Sequence, residues 1–161
     1  MSMKVLESLK DAGATYEVID CEPSFADTAE FCNHYGYSLD ESANAILLEG
    51  KAESPVYALC VVLATTRINV NKVARKRLGT RKASFASAEI TKELTGMEIG
   101  GVTPVGLPVD LPIWIDSLVM ETRKVIIGAG SRSAKIYLSP DNLLRFPNTH
   151  IVDGLSMPIV N

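Results

Sequence analysis

Residues 44–66 read NAILLEGKAESPVYALCVVLATT. NAILLEGK (44–51) and VYALCVVLATT (56–66) are each rich in β-branched and aliphatic residues, and AESP (52–55) interrupts them with polar residues and a proline. This pattern predicts two strands joined as a hairpin. The second strand is apolar almost throughout. A strand with one wet face alternates, so this one is expected at the centre of a sheet with both faces covered.

Working outward, Val5, Leu6, Leu9 and Ala12 share one face of a first helix that stops at Gly13. YEVID (16–20) alternates as a strand. Asp27 and Glu30 have capping-box spacing ahead of Phe31 and Tyr35, and SLDE (38–41) repeats the signal. Downstream, Asn71 is expected to cap a helix KVARKRL ending at Gly79, and RKASF follows as a short strand. Ser87 opens a helix carrying Ile90, Leu94 and Met97. PIWID (112–116), KVIIGAG (124–130), AKIYL (134–138) and HIVD read as strands, with a helix or turn at SLVME. In SPDNLLRF, Ser139 stands at the N-cap and Pro140 at the first helical position. Many strands with short, scattered helices give a mixed α+β class around a curved sheet rather than a doubly wound one. A length of 161 residues favours one domain over 1–161.

Composition narrows the chemistry. Apolar residues make up 47% and charged residues 22%, which is globular rather than disordered. No apolar run reaches the roughly 18–20 residues of a membrane span, and the first residues lack a signal-peptide core, so a cytoplasmic location is expected. Cys21, Cys32 and Cys60 are odd in number and widely spaced. They predict reduced structural thiols rather than a zinc site or a disulfide framework. With only His34 and His150, metal and Ser-His chemistry have little to work with. GAGSRS (128–133) lacks the final glycine of a dinucleotide fingerprint and no βαβ unit surrounds it, so no cofactor is expected.

The net charge of −3 is unevenly spread. Residues 1–66 hold 11 acids and 3 Lys/Arg, whereas RINVNKVARKRLGTRK (67–82) holds 7 Lys/Arg and no acid. Two readings stand side by side: a solvated helix face, or a landing site for phosphates. Arg75, Lys76, Arg77 and Arg81 are the candidates for phosphate contacts, although a helix cannot turn all of them one way.

Residues 100–108, GGVTPVGLP, place three glycines and two prolines in nine positions. Glycine leaves its N–H unobstructed, and proline stiffens the chain and removes a donor. Such a wall suits a carbonyl oxygen or a phosphate. A tight structural turn is the plainer reading.

The run VNKVARKRLGTRKASFASAEITKELTGMEIGGVTPVGLP resembles the core signature of the YbaK and prolyl-tRNA-synthetase editing-domain superfamily. Its parts are a basic helix, a strand with Lys or Arg, a helix ending ELTG, and a GGxSPxG-type loop. The likeness continues through PIWIDSLVMETRKVIIGAGSRSAKIYLSPDNLLRF and covers roughly residues 25–155. The resemblance implies a mostly antiparallel, barrel-like sheet with short surrounding helices. It also implies a trans-acting aminoacyl-tRNA deacylase that serves translation fidelity by hydrolysing the ester of a misattached amino acid at the tRNA 3′ end. Gly100, Gly101, Val102, Thr103 and Pro104 then form the loop that holds the aminoacyl carbonyl. The resemblance further implies that the terminal ribose hydroxyl helps to activate water, so that no side-chain nucleophile is needed. An ester is an activated bond, and positioning with oxyanion stabilisation supplies much of the rate.

Two positions depart from the family pattern. Asn44, in SANAILLE, stands where the resemblance places a lysine, and Lys135, in GSRSAKI, stands where it places an acid. If both face one pocket, a cation has moved from one strand to the other; the alternative for Lys135 is a solvent-facing strand lysine. Ser131 and Arg132 are expected at the pocket rim, with Arg132 able to pair with a phosphate. Tyr16 and Phe25 are stacking surfaces or core, Trp114 is core, and Asp116 is expected to cap the SLVME turn, with orienting a substrate amine as the alternative. A deacylase is the favoured function. A tRNA- or aminoacyl-binding module weakened by Asn44, and a protein-binding regulator, are the alternatives.

Overall fold

The expected hairpin is the spine of the protein. In the computed structural model, which describes residues 1–159, β2 (Ala43–Lys51) and β3 (Val56–Leu63) pair antiparallel with Asn44 opposite Val62 and Leu48 opposite Ala58. The last two positions of the expected 1–161 domain lie outside the described residues. β1 (Glu17–Asp20) precedes this hairpin, and β4 (Thr66–Ile68), β5 (Lys82–Phe85), β6 (Ile113–Asp116) and β7 (Val125–Gly128) follow it, then β8 (Ala134–Leu138), β9 (Thr149–Val152) and β10 (Ser156–Pro158). The largest sheet has the order β5-β2-β3-β6-β9, with β3-β6 and β6-β9 parallel and the remaining pairs antiparallel. A second sheet, β1-β8-β7, is entirely antiparallel, and β10 pairs with β4. A bridge between Ser42 and Ile126 links the two larger sheets. The class is mixed α+β and mostly antiparallel, as expected, and among the described residues the strands do not close into a barrel.

The apolar run of β3 is explained by its two faces. Leu59 and Val61 enter a core shared with Ile113, Ile115, Ile127 and Ile136, while Ala58, Cys60 and Val62 enter a second core with Trp114 and Val152. All three cysteines are free and buried. Helix α1 (Met3–Asp11) buries Val5 and Leu9 in the first core, where Leu143 and Phe146 from the far end of the chain also pack. Leu6, expected on the same face, is exposed.

Helix α2 (Thr28–Tyr35) starts at Asp27 without the expected capping box, because the Asp27 carboxylate accepts from Arg132 instead. The box at Ser38–Glu41 does form. The cap of the basic helix is Asn69, not Asn71: its Oδ1 accepts from Lys72 N at 3.3 Å. A widened turn, Val70–Ala74, then runs into α3 (Arg75–Leu78). Helix α4 (Ala88–Thr95) is capped by Ser87 as expected. Helix α5 (Ser117–Met120) begins at Asp116, whose side chain makes no cap. Its Oδ2 accepts from Ser156 Oγ, tying β6 to β10, and its Oδ1 is buried without a partner among the described residues. Among the described residues no helix is long and apolar enough to cross a membrane.

Candidate functional site

A cavity of about 230 Å³ opens where the start of β2, the N-terminus of α2, the loop after α4 and the start of β8 meet. Asn44, Gly100, Val102 and Lys135 all border it, as do Asp27 and Thr28. Two positions singled out for exchanging a cation therefore do share one pocket. Lys135 is not a solvent-facing strand lysine: it is 6% exposed. Its Nζ donates to the Gly100 carbonyl at 2.8 Å and lies 5.8 Å from the centre of the Phe31 ring. Burial pulls the Lys135 pKa below the ordinary lysine value. Asn44 is held by a short hydrogen bond, its Oδ1 accepting from Thr28 Oγ1 at 2.5 Å.

The glycine-rich loop divides. Gly100 and Val102 reach the cavity; Gly101, Thr103 and Pro104 are buried outside its wall. The Gly101 N–H is used internally, donating to Glu98 O at 2.8 Å, and its carbonyl accepts from Gly130 N at 2.7 Å. Among the described residues, the N–H groups of Gly100, Val102 and Thr103 donate to no protein acceptor. Thr103 Oγ1 is buried and also without a partner.

Close approach explains the glycines. A Cβ on Gly101 would sit 2.7 Å from the Ser131 carbonyl oxygen and 2.9 Å from its N. A Cβ on Gly128 would meet the Val102 carbonyl oxygen closer still. The loop and the β7–β8 turn are thus packed backbone against backbone. GGVTPVGLP is a tightly packed structural loop, one edge of which borders a cavity.

Ser131 and Arg132 flank the cavity without lining it. The two hydroxyls of Ser131 and Ser133 bond each other at 3.0 Å. Arg132 acts as a clasp: Nη1 donates to Asp27 Oδ1 at 3.1 Å and to Ile99 O at 2.6 Å, and Nη2 to Pro23 O at 2.9 Å. A planar fork can serve these separate acceptors where a lysine cannot. Tyr16 packs against the first core, and Phe25 stacks on His34 with ring centres 3.9 Å apart. Burial pushes the Cys21 and Cys32 thiols up, away from the reactive thiolate.

The basic residues also divide. Arg75 and Arg81 line a separate concavity together with Lys51 and Lys82. Arg77 instead lies over the Trp114 ring, 5.2 Å from its centre, and Lys76 is exposed outside both hollows. Asp27, Thr28, Thr91 and Ile99 border the cavity but escape a sequence reading. The first two carry only a helix-start signal, and nothing local distinguishes a cap that also faces a pocket.

An aminoacyl-tRNA editing domain family model matches residues 22–146. "Uncharacterized protein YwhH" of Bacillus subtilis (strain 168) is 32% identical over 130 residues, covering 81% of this chain and 80% of that protein. "Putative Cys-tRNA(Pro)/Cys-tRNA(Cys) deacylase EbsC" of Enterococcus faecalis (strain ATCC 700802 / V583) is 26% identical over 99 residues, 62% of this chain and 58% of that protein. Among solved structures, "a putative trans-editing enzyme for prolyl tRNA synthetase" has the same fold, with a TM-score of 0.79 at 24% identity over 95% of this chain and 97% of that one.

Proposed function

The chain belongs to the aminoacyl-tRNA editing domain family, and from that membership we propose that it hydrolyses, in trans, the ester joining a misattached amino acid to the 3′ end of a tRNA. The observation that carries this reading is the convergence of Asn44, Gly100, Val102 and Lys135 on one cavity. At about 230 Å³ the cavity is smaller than the ~300–1,000 Å³ clefts that enclose drug-sized ligands. It suits an aminoacyl group rather than a whole nucleotide.

In this reading the acyl carbonyl lies against the loop edge. Water adds to the carbonyl carbon, the carbon–oxygen ester bond breaks, and the ribose oxygen leaves with a proton, giving free amino acid and intact tRNA. The unpartnered N–H groups of Gly100 and Val102 are available to the oxyanion that develops on the way, and cost no reorganisation because the loop is already braced. Lys135 spends one of its three N–H donors on Gly100 O. Its remaining donors and its charge serve the same oxyanion or the substrate. Asn44 orients the substrate, and Arg132 keeps the loop and α2 in register. The whole of 1–161 acts as one editing domain in the cytoplasm, where charged tRNA is found; the packing of Val5 with Leu143 in one core supports a single unit.

The test is a deacylation screen of mischarged tRNAs, including Cys-tRNA(Pro) because of the relative's name. At least one small or polar aminoacyl ester is expected to be cleaved well above its spontaneous rate. Background rates for every substrate would refute the enzyme reading; tight tRNA binding in the same samples would then identify a binding module.

A further inference from the structure

The cations of the second concavity come from three elements. Lys51 ends β2, Arg75 begins α3, and Arg81 and Lys82 lead into β5. Lys51 and Lys82 are direct cross-strand partners, a like-charge pairing that costs stability. Among the described residues none of these four cations has a carboxylate within salt-bridge distance. Arg75 is fixed in place, with Nε donating to Asn71 O and Nη1 to Thr80 O, both at 3.0 Å. A preorganised cluster of unneutralised cations is suited to an anion that spans several of them, such as a nucleic-acid backbone.

β2 and the edge strand β5 run from this concavity to the acyl cavity. Lys51 lies at one end of β2 and Asn44, seven residues away, at the other. At ~3.3 Å per residue the separation is about 23 Å. On β5, Ala83 borders the concavity, while Ala86, just past the strand, borders the cavity. Between them stands Phe85, an aromatic side chain left 58% exposed on an edge strand. An exposed ring between a cationic hollow and the cavity is placed to stack an unpaired base.

We propose that Lys51, Arg75, Arg81 and Lys82 grip the backbone of an RNA duplex while Phe85 stacks a base of the single-stranded 3′ overhang leading from that duplex to the cavity. The identity of the RNA as the tRNA acceptor end rests on the function proposed above.

The track is tested by fluorescence anisotropy with a labelled RNA minihelix carrying a four-nucleotide unpaired 3′ end and with the same duplex made blunt. Wild type binds the overhang form more tightly, and its affinity falls steeply with salt. Phe85→Ala weakens overhang binding about tenfold and leaves blunt binding unchanged; Phe85→Trp retains it. Arg81→Glu/Lys82→Glu weakens both RNAs and flattens the salt dependence. Thermal unfolding establishes that each variant is folded. Equal affinity of wild type for the two RNAs, wild-type overhang affinity in Phe85→Ala, or an unaltered salt slope in the charge-reversed variant would each overturn the proposal. Intact binding behaviour with no ester hydrolysis would overturn the deacylase reading and leave this track standing.

Discussion

Lys135 Nζ donates to the Gly100 carbonyl across 2.8 Å, joining the buried start of β8 to the loop at the mouth of the cavity. One ammonium thereby braces the loop and charges the pocket. Lys135→Met keeps most of the packing and removes both effects. Its thermal midpoint is expected to equal or exceed wild type, because a desolvated charge is replaced by an apolar chain. Deacylation falls about 100-fold, the scale of losing one oxyanion donor. The pH dependence has a definite sign. The lowered folded-state pKa means that the unfolded chain holds more protons between that value and 10.5. The stability of wild type relative to Lys135→Met therefore rises as pH increases through that window. Undiminished turnover and RNA affinity in Lys135→Met would end the assignment.

Asn44 and Lys135 border the same cavity, so their substitutions should couple. Asn44→Lys alone brings a second ammonium beside the first and is expected to lower stability and activity. Lys135→Asp alone buries an acid among Phe31, Cys21 and Cys32. Together they place a lysine on β2 and an acid on β8, reversing the exchange expected from the sequence. The double variant is expected to exceed both single ones in melting temperature and turnover. Simple additivity in a double-mutant cycle would show that the two positions do not exchange roles.

Gly101→Ala forces a methyl group against the Ser131 backbone, at 2.7 Å from its carbonyl oxygen. Neither partner is the flexible end of a side chain, so the loop must shift. The expected cost is about 1–3 kcal/mol by urea unfolding, with hydrolysis impaired further as Val102 leaves the cavity wall. Gly79→Ala, at a helix end with open space but a φ of +76°, provides the comparison: it is expected to cost about 1 kcal/mol through backbone strain alone, with no clash at the loop.

Cys60 is fully buried in β3, and its thiol is pushed up to about 12 by desolvation. Above the ordinary value of 9.0 the unfolded chain loses this proton while the folded chain keeps it. Stability contributed through Cys60 is present below pH 9 and falls as pH rises beyond it. Between pH 9 and 10 wild type should lose about 1 kcal/mol more than Cys60→Ala. Parallel alkaline profiles for the two proteins would contradict this. A thiol reagent is expected to label Cys60 only after unfolding.

The β2–β3 hairpin was legible because its cause is local: two apolar runs broken at Pro55, the second without polar alternation. The caps at Ser87 and Ser38 were legible for the same reason. Strand β10 was not, since SMP has no strand pattern and exists as a strand only because Ile68 and its neighbours supply hydrogen-bonding partners. The capping box at Asp27 failed through competition, an arginine 105 residues away taking the carboxylate.

The order of residues alone settled the class of fold and the presence of a stiff, bare loop, because periodicity, turn chemistry and glycine content act between near neighbours. It also marked Asn44 and Lys135 as a pair worth watching. Only the tertiary structure decided that Lys135 is buried, that it bonds to Gly100, and that Gly100 and Val102, but not Thr103 or Pro104, border the cavity. Those facts depend on desolvation and on the approach of segments far apart in the chain, neither of which is encoded in any one stretch of it.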